Sequence, residues 1–261
     1  MNDLRITLVQ GATRWHDPVA NRDYYGRLIA PLHDRTDLGL LPETFTSGFS
    51  NDAIAEAETM DGPTVAWVRD QARILNAAVC GSVQLRDGDG VYNRLLFATP
   101  DGELHTYDKR HLFRFGREHE RYAAGRDRLV VDWRGWRICP LVCYDLRFPV
   151  FSRNRYDVER PAQLDYDLLL YVANWPAARA YAWKTLLRAR AIRLERATLR
   201  RHRTDPIPGA LHAPRAHGHV ATTGRLLRGR QSAVTCALVP GNEASLVWFP
   251  KLSSVSRALG D

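Results

Sequence analysis

Three short segments each place one chemically reactive side chain beside a strand-like run. Glu43 lies in LLPETF, Lys109 in YDKRHLF and Cys143 in CPLVCYDLRFP. A thiol can attack an unactivated amide carbon, a carboxylate can take up and return the proton, and an ammonium group can hold the negative charge that forms. The three residue types together predict a site that hydrolyses carbon–nitrogen bonds.

The proton transfer from thiol to glutamate sets the energetic requirement of such a site. A free thiol has a pKa of about 8.5 and a free glutamate one of about 4.3, so direct transfer is uphill by ~5.7 kcal/mol. We expect the folded environment to narrow this gap, with the Lys109 cation lowering the pKa of Cys143. In this hypothesis Glu43 is the general base, and Lys109 and the backbone N–H of Tyr144 stabilise the oxyanion.

Each of the three residues also has a purely structural interpretation when it is taken alone. An isolated buried cysteine is usually inert, as we expect for Cys80 and Cys139. Glu43 follows Pro42 and fits a helix cap, and Lys109 fits a solvated surface lysine. The joint occurrence of the three segments favours the catalytic interpretation.

Two histidines near these segments, His111 and His119, raise the alternative of a cysteine–histidine hydrolase. No Asn or Asp that would orient a histidine is evident from the sequence, so we interpret both histidines as pocket-wall or hydrogen-bonded structural residues. Asp145 and Arg147 closely follow the cysteine, and we interpret them as local structural partners rather than catalysts.

The elements that must position these residues alternate between strand-like and helical patterns. Apolar residues recur at helical spacing before the second and third strands, and residues 168–173 are continuously apolar, as in a strand covered on both faces. This order indicates an α/β fold in which two sheets pack face to face with helices outside, a four-layer α-β-β-α sandwich. We predict a helix from about Ala178 and strands at residues 5–10, 38–42, 77–84, 91–98, 103–107, 129–133, 136–142 and 168–173.

The composition of the 261-residue chain changes near residue 192. Residues 193–261 hold eleven basic and four acidic side chains, a net charge of +7, whereas residues 1–192 carry a net charge of +1. We interpret 1–192 as the hydrolase domain and 193–261 as an atypical, poorly packed basic segment translated in a shifted reading frame, in which only ALV near 237 and SLVWF near 245 look like strands. A divergent segment with a solvated basic surface is the alternative. Because the excess charge is confined to this segment, a nucleic-acid partner is not expected.

The cysteines and the hydropathy pattern limit the cellular compartment and the cofactors that we expect for this chain. Cys80, Cys139, Cys143 and Cys236 show no disulfide framework and indicate a reducing cytoplasm. No apolar run approaches the ~20 residues that cross a bilayer, so no membrane partner is predicted. Cys139 and Cys143 are spaced C-x3-C without a second pair, which argues against a zinc site. The hypothesised chemistry needs a small-molecule amide substrate but no metal and no other cofactor.

The reactive segments resemble those of the nitrilase superfamily of carbon–nitrogen hydrolases and, within it, the ω-amidase-type branch. The resemblance runs from about Arg5 to Ile192 and includes three motifs in the family's order. It implies that the Glu-Lys-Cys triad of the family corresponds to Glu43 in LPETFTSGF, Lys109 in YDKRHLF and Cys143 in VCYDLRFP. The implied fold is the four-layer sandwich of the nitrilase type.

The same resemblance implies further site residues. A second glutamate of the family falls in GREHERYAAG, where Glu118 matches better than Glu120 and would orient Lys109 or the substrate. Asn174 and Trp175, in YVANWP, would line the substrate pocket.

The resemblance also implies a substrate class, namely small ω-amides of 2-oxo dicarboxylic acids such as 2-oxoglutaramate and 2-oxosuccinamate, hydrolysed through a cysteine thioester. A cationic group should bind the distal carboxylate, and Arg114, Arg117 and Arg147 are candidates by proximity in the sequence. Three alternatives stay open: another amidase or nitrilase of the superfamily, an inactive member that keeps the fold, and a nucleic-acid-binding protein that uses the basic tail.

The chain departs from the family pattern within the last predicted helix. Arg193 and Leu194 stand where the family has a Glu-Asn pair, and later residues do not restore the pattern. We therefore expect a disrupted or incomplete C-terminal part, with missing strands that leave a sheet edge open. The homodimer of the family uses C-terminal elements, so we expect this departure to disturb it.

Overall fold

A computed structural model describes the following parts of the chain: residues 4–155, 164–196, 220–227, 234–238 and 245–248. For residues 191–196 and for the last three segments, the description is limited to the backbone and its strand pairing. Much of the predicted basic segment 193–261 lies outside the described residues. Its predicted poor packing and its origin in a shifted reading frame therefore stay predictions, as does the domain boundary at residue 192.

The described residues form eleven strands and three α-helices, with short 3-10 helices between them. The strands are β1 Leu4–Val9, β2 Leu38–Leu40, β3 Ala78–Asp87, β4 Gly90–Ala98, β5 Leu104–Asp108, β6 Val131–Trp133, β7 Trp136–Val142, β8 Leu168–Val172, β9 Val220–Leu227, β10 Val234–Leu238 and β11 Ser245–Trp248. The helices are α1 Pro18–Ile29, α2 Pro63–Leu75 and α3 Ala180–Arg196.

Local sequence explains where the first two helices begin and end. Both start with a proline, whose fixed φ suits the first helical position. The side chain of Asp17 caps α1 by accepting a hydrogen bond from the backbone N–H of Ala20 at 3.0 Å. Helix α2 ends where Asn76 adopts the left-handed conformation, with a φ of 52°.

The strands assemble into two sheets with mixed strand directions. The first sheet has the order β5-β4-β3-β2-β1-β9, and the second has the order β11-β10-β8-β7-β6. In the first sheet β1, β2 and β3 are parallel neighbours, whereas β4 and β5 continue as an antiparallel meander. In the second sheet β7, β8 and β10 run parallel. Helical crossovers join the parallel strands β1, β2 and β3, and short turns join the strands of the meander.

Alternating side chains of the strands divide between two apolar clusters. Leu8 of β1 packs into a central cluster with residues of the second sheet, including Leu170 of β8. The next residue, Val9, faces the opposite way and packs with residues of α1 and α2, including Val68. On the outer face of the second sheet, Trp183 of α3 joins the central cluster. The four-layer α-β-β-α sandwich is therefore confirmed.

All eight strands predicted within residues 1–173 are present, with ends that shift by a few residues. The predicted open sheet edge, by contrast, is wrong at β1, because β9 pairs with it antiparallel. Strand β10 likewise pairs with β8, and β11 pairs with β10. A strand edge needs only backbone N–H and C=O partners, so this pairing does not require the family's side-chain pattern.

Candidate functional site

The candidate residues lie just beyond the carboxyl ends of strands. Lys109 directly follows β5 and Cys143 directly follows β7, while Glu43 and Asn174 come shortly after β2 and β8. The backbone N–H of Asn174 donates to Glu43 Oε2 at 2.8 Å, although these residues are 131 positions apart in the chain. The two packed sheets thus bring the loops at these strand ends to one place.

A buried ion cluster forms the base of this site. The Lys109 ammonium Nζ lies 2.9 Å from Glu43 Oε1 and 3.0 Å from both carboxylate oxygens of Glu118. None of these three side chains is exposed to solvent. Burial therefore excludes the interpretation of Lys109 as a surface lysine. The interpretation of Glu43 as a helix cap is also wrong, because Glu43 lies in a turn and the next helical segment begins only at Asp52.

Hydrogen bonds from neighbouring groups hold both carboxylates in place. The side-chain amide of Asn93 in β4 donates to Glu43 Oε1 at 2.9 Å and to Glu118 Oε1 at 3.3 Å. The backbone N–H of Phe113 donates to Glu118 Oε2 at 2.6 Å. Both oxygens of Glu118 accept hydrogen bonds from the Lys109 ammonium, so Glu118 fixes the position of that cation.

The surroundings keep Lys109 in its charged form. Burial disfavours the ammonium, but the carboxylates of Glu118 and Glu43 outweigh it and hold the pKa of Lys109 above its ordinary value. The ring of Phe49 lies under the ammonium, with 5.2 Å between Nζ and the ring centroid. The cluster thus presents a fixed cation to the adjoining cavity.

Cys143 occupies a sharp turn at the end of β7. Its φ is +43°, in the left-handed region that a non-glycine residue adopts at a cost of about 1–3 kcal/mol. It opens a short 3-10 helix, Cys143–Arg147. The residue is 8% exposed and lines the pocket described below.

The charge state of Cys143 differs from the sequence-based expectation. Burial raises the pKa of the Cys143 thiol well above its ordinary value, and the charge of Glu43 raises it further. Lys109 acts in the opposite direction, as expected, but does not outweigh these two effects. The expectation of a net lowered pKa is therefore wrong. The site rests as a thiol beside a carboxylate–ammonium pair, and the nucleophile needs a base at the moment of attack.

Asp145 organises the loop that carries the cysteine. Its carboxylate accepts hydrogen bonds from the Tyr107 hydroxyl at 2.7 Å and from the backbone N–H of Val142 at 3.0 Å. It also contacts His111 Nδ1 at 2.8 Å, and the His111 ring stacks on Phe148 with 3.7 Å between ring centroids. Asp145 is thus a structural partner, as the sequence indicated.

The two histidines have different environments. No acidic partner for His111 was evident from the sequence, and the contact with Asp145 corrects that interpretation. His119 is exposed and does not line the pocket described below. A Cys–His arrangement is therefore not supported at this cavity.

A cavity of about 380 Å³ adjoins the cluster and opens to solvent. Its walls combine aromatic rings with two guanidinium groups, and the thiol and the ammonium lie inside it. The lining residues are Phe49, Lys109, Phe113, Cys143, Tyr144, Arg147, Asn174, Trp175, Pro176 and Arg179.

The arginines differ from the candidates that sequence proximity suggested. Arg147 lines the cavity, whereas Arg114 and Arg117 do not. Arg117 is exposed and pairs instead with Glu120 at 2.8 Å. Sequence reasoning missed Arg179, although it lies only four residues beyond Trp175 in a segment already singled out.

The structure brings all seven sequence-predicted site residues to one region. Glu43, Lys109 and Glu118 form the ion cluster, and Tyr144 and Trp175 line the cavity with Cys143 and Asn174. Asn93, which joins the two carboxylates, was missed. An Asn within the apolar run VYNRLLFA was the available signal, because a buried amide needs polar partners.

Two further observations concern the described residues as a whole. They contain no group of three or more His, Cys, Asp or Glu side chains that could hold a metal ion. None of their helices is both long and apolar enough to cross a membrane.

Comparison with known proteins identifies the relatives of this chain. A sequence profile of the family described as carbon-nitrogen hydrolase matches residues 5–213. Omega-amidase YafV of Yersinia enterocolitica is 50% identical over 192 residues, which cover 74% of this chain and 71% of the relative. The 2-oxoglutaramate amidase of Bacillus subtilis is 33% identical over 159 residues, covering 60% of this chain and 59% of that protein.

A solved structure agrees with both the sequence match and the fold. XC1258 of Xanthomonas campestris, a CN-hydrolase superfamily protein with an arsenic adduct in its active site, is 59% identical and superposes with a TM-score of 0.75. The match covers 94% of this chain and 80% of that protein. Together with the profile match over most of the sequence and the four-layer sandwich, this shows that the chain belongs to the carbon–nitrogen hydrolase family.

Proposed function

We propose that this chain hydrolyses a small ω-amide of a 2-oxo dicarboxylic acid to the acid and ammonia. The similar proteins named omega-amidase YafV and 2-oxoglutaramate amidase support this substrate class. The single observation that carries the proposal is the buried Lys109 ammonium, which contacts Glu43 and Glu118 and lines the same cavity as Cys143.

The first half-reaction forms a thioester. The Cys143 sulfur attacks the amide carbon while Glu43 takes the thiol proton, so that the carbon–sulfur bond forms without a free thiolate at rest. Lys109 and the backbone N–H of Tyr144 stabilise the oxyanion, an interaction that typically contributes about 3–4 kcal/mol per donor. The proton held by Glu43 then passes to the leaving nitrogen, the carbon–nitrogen bond breaks, and ammonia departs.

The second half-reaction returns the enzyme to its starting state. Glu43 takes a proton from a water molecule, and the resulting hydroxide attacks the thioester carbon. The carbon–sulfur bond breaks, the proton returns to the sulfur, and the acid product leaves. Glu118 holds Lys109 through both of its oxygens and so keeps the cation aimed at the oxyanion. Asn174 and Trp175 form the wall against which the substrate lies.

The test is ammonia release from 2-oxoglutaramate by the full chain. We expect Cys143→Ala and Lys109→Ala to abolish release. Cys80→Ala is the matched control, because Cys80 is also a buried free cysteine but lies in the core of the first sheet. Release that persists in Cys143→Ala would refute the thioester route. Absence of release from the unmodified chain with every amide of a panel would indicate the inactive-scaffold alternative instead.

Partner and location stay at the level of proposals. We propose a small-molecule amide as the substrate. We expect the departure from the family pattern after residue 192 to disturb the family homodimer, which sedimentation of the full chain would test. The cytoplasmic location stays a prediction from the cysteine usage. Binding to nucleic acid through the basic segment 193–261 is the competing function, and loss of binding at raised salt would identify it as electrostatic.

A further inference from the structure

We propose that two side chains of β3, Ser82 and Gln84, are positioning residues that fix the loop on which both the base and part of the cavity wall lie. This base loop, residues 43–50, begins with Glu43 and ends just after Phe49, which lines the cavity. The inference rests on the proposed amidase function, because it assigns each side chain to one step of that reaction. Ser82 serves proton transfer, and Gln84 serves substrate binding.

The inward face of β3 changes from apolar to polar along the strand. Ala78 and Cys80 pack in the central apolar cluster, whereas the next two residues on that face are Ser82 and Gln84. Both are buried. A buried polar side chain is costly unless it has hydrogen-bond partners. These two positions therefore require partners, and the base loop supplies them.

Ser82 holds the loop immediately beside the base. Its hydroxyl Oγ accepts a hydrogen bond from the backbone N–H of Thr44 at 3.0 Å, and its backbone carbonyl accepts one from the N–H of Phe45 at 3.1 Å. Thr44 has a φ of +48°, in the left-handed region that a threonine adopts only where its surroundings enforce it. Because Thr44 directly follows Glu43, this turn sets the direction in which the Glu43 side chain leaves the backbone.

Gln84 holds the other end of the loop. Its side-chain oxygen Oε1 accepts a hydrogen bond from the Ser47 hydroxyl at 2.6 Å, and its Nε2 donates to the backbone carbonyl of Gly48 at 3.3 Å. The next residue is Phe49, whose ring lines the cavity and lies 5.2 Å from the Lys109 ammonium. Gln84 thus fixes the position of one cavity wall.

Neither Ser82 nor Gln84 lines the cavity, so each acts through the loop rather than by touching the substrate. Strand β4 gives a second support, because Asn93 is the cross-strand partner of Gln84 and its amide donates to Glu43. Glu43 is therefore held twice, through its carboxylate by Asn93 and through the adjoining backbone by Ser82. Loss of the Ser82 hydroxyl should displace the base without releasing it, which predicts a partial loss of activity.

The kinetic test separates the two roles by the constant that each substitution changes. We would measure ammonia release from 2-oxoglutaramate with Ser82→Ala and Gln84→Met, and with the control Thr36→Val. Thr36 is also a buried residue, and its hydroxyl donates to the backbone carbonyl of Leu38. It precedes β2, however, and so lies at the opposite end of that strand from Glu43.

Ser82→Ala should lower kcat by about 10- to 100-fold and change KM by less than about 3-fold, because a misplaced base slows proton transfer but leaves the cavity wall intact. Gln84→Met should raise KM by about 10-fold and change kcat by less than about 3-fold, because a displaced wall weakens the binding of substrate and transition state alike. Thr36→Val should change both constants by less than about 3-fold. An unchanged kcat in Ser82→Ala, an unchanged KM in Gln84→Met, or a loss in Thr36→Val as large as in either variant would overturn the positioning roles.

Hydrogen exchange tests the same contacts without turnover. Removing the Ser82 hydroxyl leaves the backbone N–H of Thr44 without its acceptor. The peptide that covers residues 41–51 should therefore exchange about 10-fold faster in Ser82→Ala, as expected for one lost hydrogen bond. Gln84→Met should have the same effect, whereas Thr36→Val should not. Faster exchange of this peptide supports the contacts with β3 even if the chain releases no ammonia, and exchange that is unchanged in both variants refutes them even if the chain proves to be an amidase.

Discussion

Replacing Lys109 with methionine would leave two buried carboxylates facing each other without the ammonium that joins them. Both touch the same Nζ atom, at 2.9 and 3.0 Å, so their nearest oxygens lie at most about 6 Å apart. Coulomb's law with an effective dielectric of about 20 then gives a repulsion of about 3 kcal/mol between the two charges. Removing one partner from a buried ion pair typically costs about 3–5 kcal/mol. We expect Lys109→Met to lower the free energy of unfolding by an amount near the upper end of that range.

A second substitution tests whether the two buried carboxylates repel each other. Glu118→Gln keeps the shape of the side chain and removes one of the two repelling charges. In the Lys109→Met background it should therefore restore up to about 3 kcal/mol of stability, the size of the repulsion that it removes. The double variant would be more stable than the single variant, although it lacks two native groups. In the unmodified background, where Lys109 is present, the same Glu118→Gln change should destabilise the protein.

Urea unfolding of the four proteins of this cycle, followed by circular dichroism, measures the coupling directly. Midpoints compared at an unchanged slope give the differences in unfolding free energy. If the losses from the two substitutions simply add, the three side chains do not share one electrostatic cluster. A loss of unfolding free energy below about 1 kcal/mol in Lys109→Met, the value expected for an exposed ion pair, would also show that Lys109 does not hold the two carboxylates together.

Three further predictions concern the nucleophile and the groups around it. Burial and the Glu43 charge raise the pKa of Cys143. The rate at which iodoacetamide alkylates Cys143, followed by peptide mass spectrometry, should therefore keep rising as the pH passes about 8.5, where the alkylation rate of an ordinary thiol levels off. Asn93→Ala removes the amide that donates to both carboxylates, so kcat for ammonia release should fall by about 10- to 100-fold with a smaller change in KM. Asp145→Asn weakens the contacts with Tyr107 and with the backbone of Val142, and it should lower the unfolding free energy by about 1–3 kcal/mol in urea titrations.

Each of these predictions has an outcome that contradicts it. An alkylation rate that levels off near neutral pH would mean that Lys109 outweighs burial at Cys143. An Asn93→Ala chain with unchanged kcat would leave the amide without a positioning role. An Asp145→Asn chain as stable as the unmodified protein would mean that its hydrogen bonds do not hold the cysteine loop.

The positions of the reactive residues at strand ends could be predicted from the sequence because each follows a strand-like run. Glu43, Lys109 and Cys143 each come directly or shortly after such a run, and the structure places all three beside one cavity. The order of strands and helices likewise led to the four-layer sandwich. Patterns of this kind are local, so one sequence is enough to read them.

Features that depend on long-range packing were not accessible in the same way. The pKa of Cys143 rises because the thiol is buried, and the sequence gives no measure of how deep a residue lies. Arg114 and Arg117 lie between Phe113, which lines the cavity, and the buried Glu118, yet both are exposed and neither lines the cavity. Arg179 instead reaches the cavity from beyond β8. The pairing of β9 with β1 was also missed, since its sequence lacks the clear apolar alternation of the earlier strands.

The contact between His111 and Asp145 illustrates the same limit. The two residues are 34 positions apart, and each also has neighbours in sequence that fit a structural role. Only the approach of the loop after β5 to the loop after β7 makes them partners. The missed positioning role of Asn93 has the same origin, because its two acceptors come from different loops.

The proposed reaction requires that Cys143 carries the acyl group during turnover. Acid quenching of the full chain during reaction with 2-oxoglutaramate, followed by peptide mass spectrometry, would detect this acyl group. We expect the mass of the acyl group on the peptide that contains Cys143, its removal by hydroxylamine as for a thioester, and no adduct in Cys143→Ala. Ammonia release that continues in Cys143→Ala, or an acyl group carried by another residue, would show that Cys143 is not the nucleophile.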